Sequence, residues 1–128
     1  MNKQIIHTDK APAAVGPYSQ AVSCSPNKMV FLSGQIGLDP STGKLEDRSF
    51  DLQVKQAFKN MICVIEASGA SLDNIIKTTL YLTDLSKFET VNSIMSDLFP
   101  KPFPARTTLE VSSLPKGAKF EIEVILSM

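Results

Sequence analysis

The run Lys119-Phe-Glu-Ile-Glu-Val-Ile-Leu-Ser127 decides the fold class, because its apolar residues fall on every second position. Successive side chains of a strand point to opposite faces. Phe120, Ile122, Val124 and Leu126 therefore share one face, and Lys119, Glu121, Glu123 and Ile125 share the other. A strand divided in this way needs a cover on its apolar side, and two upstream stretches supply one. From Asp51 to Ser68 the residues Val54, Ala57, Phe58, Met61, Ile62 and Ile65 keep the i, i+3, i+4 spacing of one buried helical stripe, which Gly69 ends. A second stripe of Phe88, Val91, Met95 and Leu98 predicts a helix over Lys87–Leu98 that Pro100 terminates. Ser86 and Glu89 stand at capping-box spacing at its start.

The other strands are read around these helices. Ile75–Leu82 is β-branched and apolar, and Arg106–Val111 alternates, with Thr107, Leu109 and Val111 on one face. Met29–Leu32 is a short apolar run, Ser19–Ser23 a short strand after a loop bearing Pro12 and Pro17, and Gln4–Thr8 a candidate edge strand. The expected order is β-β-β-α-β-α-β-β, an α/β sandwich with both helices on one sheet face. At 128 residues the chain reads as a single domain, 1–128.

Composition narrows the function classes. Thirteen basic and thirteen acidic residues cancel, so the cationic face required of a dedicated nucleic-acid binder is not expected. Lys55 with Lys59 reads as the solvated side of a helix. The N-terminal residues lack the apolar core of a signal peptide, and no run approaches a membrane span, so a cytoplasmic protein is expected. Cys24 and Cys63 show no metal spacing, and no metal site or disulfide is expected. His7 stands in a polar strand with no nucleophile beside it. The Gly34-Gln35-Ile36-Gly37 stretch lacks the lysine and following helix of a phosphate loop.

The chemistry is expected on the last two strands. If both apolar faces cover the helices, Arg106 and Glu123 project from the opposite side. An antiparallel hairpin pairing Leu109 with Phe120 would then set them across from each other. That pattern fits an ordinary surface ion pair. It also fits a site in which the guanidinium fork grips a carboxylate while a carboxylate activates water. A chain this small leaves little room for an enclosed pocket, so a shallow site or one shared between subunits is expected.

The residues Ala11-Pro-Ala-Ala-Val-Gly-Pro-Tyr-Ser-Gln-Ala-Val22, Leu32-Ser-Gly-Gln-Ile36, Lys77-Thr-Thr79, Val91-Asn92, Pro104-Ala-Arg-Thr-Thr-Leu-Glu-Val111 and Ile122-Glu-Val124 resemble the RidA/YjgF family, in order and along the whole chain. The resemblance implies a chorismate-mutase-like fold. It would be a mixed six-stranded sheet with two helices on one face, assembled as a homotrimeric barrel with sites between subunits. It also implies hydrolysis of 2-iminobutanoate and 2-iminopropanoate, or their enamine tautomers, to 2-oxo acids and ammonia, with no cofactor. Position by position, Arg106 matches the carboxylate-binding arginine, and Glu123 the glutamate that orients or activates water. Tyr18, Ser33, Gly34, Asn92 and Thr108 match substrate-binding positions. Thr108 stands where many members carry cysteine, which argues against an obligatory thiol. Two alternatives come from other classes: an endoribonuclease or translation inhibitor, and a non-catalytic metabolite binder or chaperone-like protein.

Overall fold

The computed structural model describes residues 3–128. Its elements are β1 (Lys3–Ile6), β2 (Ala21–Cys24), β3 (Met29–Phe31), β4 (Gln35–Ile36), α1 (Phe50–Ala67), β5 (Ile75–Leu82), α2 (Phe88–Leu98), β6 (Ala105–Glu110) and β7 (Phe120–Ser127). The helix-forming stripes were legible to within a residue at each end. Ser49 caps α1 by accepting from the Leu52 N–H at 3.3 Å, and Gly69 follows it with φ +84°, a left-handed turn that favours glycine.

The entry to α2 differs from the expected capping box. A 3-10 turn over Leu85–Lys87 precedes the helix; Asp84 caps that turn, and Lys87 stands at the N-cap of α2 without a side-chain capping bond. The Asp84 carboxylate accepts from the Ser86 N–H and hydroxyl, and Glu110 Oε1 accepts from the Leu85 N–H at 2.8 Å. A carboxylate satisfies these free amides better than a serine hydroxyl does.

The sheet also departs from the sequence reading, and this rearranges the site. Five strands form one mixed sheet in the order β3-β7-β5-β6, with the short β4 also on β7, while β1 and β2 pair separately. The expected six-stranded sheet is thus five strands plus a hairpin. Residues β6 and β7 do not pair. Strand β5 lies between them, antiparallel to β7 and parallel to β6. The reason is topological: β5, α2 and β6 form one β-α-β crossover, which brings β6 back parallel to its own predecessor. Strand β7, apolar at Ile125 as well as on its core face, takes the central place.

The register follows from this order. Thr78 pairs with Arg106 and with Val124, whereas Thr79 pairs with Thr107 and with Glu123. Both helices pack on the face that carries Leu80, Leu82, Phe120, Ile122, Val124 and Leu126. Phe58 of α1 sits at its centre, with edge-on ring contacts to Phe99 and Phe120 at 5.8 and 5.5 Å.

One polar side chain stitches the layers. Gln53 of α1 is only 3% exposed; its Oε1 accepts from the Lys119 N–H at 2.6 Å and its Nε2 donates to the Glu46 carbonyl at 3.0 Å. Gln53→Ala would strand both backbone groups where water is scarce. It is expected to destabilise the fold by about 2 kcal/mol in chemical denaturation. A midpoint unchanged from wild type would show that the amide is dispensable.

Candidate functional site

The expected site residues fall into two groups, on opposite faces of the sheet. The first lies at the β6 edge on the helix side. Ser19 pins the preceding loop there, through a bridge to Ala105, a bond from its N–H to the Pro104 carbonyl at 2.9 Å and one from its hydroxyl to the Phe103 carbonyl. Gln20 holds the other end of that loop, accepting from the Thr8 N–H and donating to the Thr8 and Pro12 carbonyls. Tyr18 is thereby laid over Arg106.

The guanidinium lies between two aromatic rings, with its carbon 4.9 Å from the Tyr18 centroid and 5.2 Å from that of Phe88. Its Nη1 donates to Asn92 Oδ1 of α2 at 2.7 Å. Such stacking fits a planar, weakly hydrated cation. Burial lowers the Arg106 pKa from its ordinary value, and Tyr18 acts in the opposite sense. Among the described residues no carboxylate lies within 4.0 Å of it. The half-buried cation is oriented by aromatic and amide neighbours while its charge is left without an anion.

Thr108 stands two residues along β6 on the same face, beside Leu80. Its Oγ1 is buried and has no hydrogen-bond partner among the described residues. Phe88 is a member of this group that the sequence reading assigned only to the helix core. Its place at the first residue of α2, where the chain turns past the β6 edge, was the available signal.

The second group lies on the open face, away from the helices. Glu123 accepts from the Tyr81 hydroxyl at 2.5 Å. This bond, with burial and the charges of Glu123 and Glu121, pushes the Tyr81 phenol up to about 12. Glu121 points the same way two residues earlier and reaches over Gly34. A Cβ built on Gly34 would stand 1.8 Å from Glu121 Oε2, so only glycine permits this approach. Burial, and then the negative Glu123, raise Glu121 above the usual carboxylate range. Ser33 is exposed beside Gly34. Glu121 is the residue that sequence reasoning passed over. Its parity matched that of Glu123, and the glycine facing it was the missing clue.

The expectation that Arg106 and Glu123 face each other across a hairpin is therefore corrected. They sit two strands apart, about 10 Å laterally, on opposite sides of the sheet. Parity failed on β6 because this edge strand meets α2 through a polar side chain, Arg106 bonding Asn92 and stacking on Phe88, and not through an apolar face. Its helix side carries Arg106, Thr108 and Glu110, while Leu109 turns to the open face and is 45% exposed. Phe31 and Met29 share the exposed apolar character of the sheet's outer strands, at 70% and 44%. Among the described residues, no group of three or more His, Cys, Asp or Glu is placed to hold a metal ion. No helix among them is long and apolar enough to cross a membrane.

Comparison with known proteins covers nearly the whole chain. The family model described as Endoribonuclease L-PSP matches residues 8–128. The human protein named 2-iminobutanoate/2-iminopropanoate deaminase is 45% identical over 123 residues, spanning 96% of this chain and 88% of the relative. The crystal structure of RidA from the Antarctic bacterium Psychrobacter superposes with a TM-score of 0.76 at 46% identity, covering 98% of this chain and 99% of the other. That of E. coli TdcF with bound serine gives 0.75 at 38% identity, with 98% of both chains covered. With matches of this extent in sequence and structure, the chain belongs to the RidA/YjgF family.

Proposed function

We propose that this chain is a deaminase that hydrolyses 2-imino acids such as 2-iminobutanoate and 2-iminopropanoate, working as a homotrimer in the cytoplasm. The observation that carries the reading is Arg106: half-buried, oriented by Asn92, stacked between Tyr18 and Phe88, and without a carboxylate of its own. A substrate carboxylate supplies the missing anion and takes two parallel N–H bonds from the fork. The relatives support the choice of substrate, since one bears the name of that activity and another holds an amino acid, a small carboxylate.

The proposal needs more than one chain. Arg106, Asn92, Tyr18 and Thr108 lie on one face, while Glu121, Glu123, Ser33 and Gly34 lie by the other. In a trimer, the β6 edge of one subunit meets the open sheet face of the next, and the exposed Phe31, Met29 and Leu109 give that contact its apolar area.

The chemistry then requires few groups. A protonated imine is already electrophilic, so the site mainly holds it and presents water. Water oxygen bonds to the imine carbon as a carboxylate takes its proton, and the C=N π pair moves to nitrogen to give a carbinolamine. A proton delivered to that nitrogen lets the C–N bond break. The C–N pair leaves with ammonia, an oxygen lone pair forms the carbonyl of the 2-oxo acid, and the hydroxyl proton passes to the carboxylate freed in the previous step.

Glu123 was the carboxylate expected to handle water, but its Oε1 is occupied by Tyr81. Glu121, with its raised proton affinity beside Gly34, suits the base role better, and Glu123 tunes it. The sign of the pH effect follows. A base must be deprotonated, so the rate falls on acidification through the Glu121 pKa, which burial and Glu123 hold high. Glu123→Gln removes one negative neighbour and should move the acid limb of kcat to lower pH. An acid limb that stays in place would separate Glu123 from the titrating group.

The activity itself is tested by coupling a threonine dehydratase to semicarbazide, which traps the released imine. Addition of the protein should accelerate loss of the trappable species. An undiminished semicarbazone yield at saturating protein would overturn the assignment.

A further inference from the structure

Lys55 and Lys59 lie on the solvated side of α1, as expected, and there they border a groove. Between α1 and α2 runs an open hollow of about 560 Å³ whose apolar lining is Phe58, Ile62, Ile94 and Leu98. Its rims are polar, with Lys55 and Lys59 one turn apart on α1, and Ser93 and Asp97 on α2. Ile62 and Leu98 also line a second hollow of about 390 Å³, which continues the groove to Leu72 and Pro100 with Glu66 and Asp73 at its margin. The helical rise from Lys55 to Glu66 makes the whole path about 16 Å long.

Charge is graded along this path. Two lysines line the first hollow together with Asp97, and Glu66 and Asp73 border the second. There Lys3 reaches Asp73 by donating to its carbonyl at 3.1 Å and partly offsets its charge. Outside the groove, a hydrogen bond from a nearby serine lowers each of the Asp39 and Asp51 carboxyls, and Lys59 adds a small downward pull on the first and Lys55 one on the second. No acidic oxygen among the described residues comes within 4.0 Å of either lysine. Hollows of this size with few polar groups are typical of small-molecule sites. The elongated apolar lining fits a linear chain, the paired lysines fit an anionic head, and Glu66 at the far end disfavours the reversed orientation.

We propose that the α1–α2 groove is a second, non-catalytic binding site for a medium-chain aliphatic carboxylate. The head sits at Lys55 and Lys59, and the chain lies along Phe58, Ile62, Ile94 and Leu98. The site is separate from Arg106, so it stands or falls independently of the imine reaction.

Decanoate, titrated below its micelle-forming concentration into the ¹⁵N-labelled chain, should give saturable amide shifts within 55–63 and 93–98. Decanoate should also slow alkylation by iodoacetamide of Cys63, which is exposed and lines the groove. Lys55→Glu/Lys59→Glu should raise the apparent Kd about tenfold or more, with imine hydrolysis unchanged. Decanol and decylamine should bind wild type correspondingly less well. The proposal is overturned if the shifts fail to saturate or map to Phe31 and Leu109 on the open face. It is equally overturned if the charge reversal leaves Kd unchanged, or if decanol or decylamine binds as tightly as decanoate.

Discussion

Arg106→Ala is expected to lower kcat/KM for 2-iminobutanoate by about 30-fold to several thousandfold, the range associated with truncating one partner of a desolvated charge pair. The guanidinium is half-buried and its faces are taken by Tyr18 and Phe88, so water cannot easily replace its fork. Arg106→Lys keeps the charge but loses the planar stack and the second parallel donor, and should recover only part of the activity. The effect should be larger on substrates whose carboxylate is intact than on the corresponding amides, because the lost interaction is with that group. Stability should fall as well. The internal losses are the hydrogen bond to Asn92 and the two ring contacts with Tyr18 and Phe88, together worth about 2–4 kcal/mol, so the kinetics are compared at a temperature where both proteins are folded. If Arg106→Ala hydrolysed the imine as fast as wild type, the carboxylate grip would have to be placed elsewhere.

The local signals were legible because each belonged to one element. The stripe Val54–Ile65 needs only its own helical period, and it located α1 almost to the residue. Alternation in β7 needed only its own pleat, and its buried face is the expected one. Sheet order is different in kind. That β6 pairs with β5 instead of β7 is decided by the crossover through α2, and no residue within Arg106–Val111 records it. On that edge strand the apolar residues are Leu109 and its neighbours on the open side, so parity led to the wrong face.

The same reasoning explains how the site was half read. The residue types Arg106, Asn92 and Tyr18 were anticipated, and they do converge. What joins them is a loop pinned by the Ser19 and Gln20 side chains, whose partners are main-chain groups and so leave no complementary residue in the sequence to detect. On the open face, Glu121 and Glu123 carry the same parity and cannot be ranked by it. Only tertiary detail separates them: Tyr81 meets one, and Gly34 opens space for the other.

That ranking carries the second large effect. Glu121→Gln should reduce kcat by about 10²–10⁴-fold, the usual contribution of a positioned general base, with KM little altered because the carboxylate grip proposed for Arg106 is left intact. Glutamine keeps the shape against Gly34 and cannot take a proton from water. Gly34→Ala approaches the same group from the other side. The new methyl would occupy the space of Glu121 Oε2, and the carboxylate, at the end of a flexible side chain, is what yields. It should therefore lower kcat while leaving the melting temperature close to wild type. The two variants together separate chemistry from packing, since one preserves shape without basicity and the other preserves basicity without position. A Glu121→Gln enzyme that turns over normally, beside a Glu123→Gln enzyme that does not, would return the base role to Glu123. Tyr81 would then be the group holding that base in place.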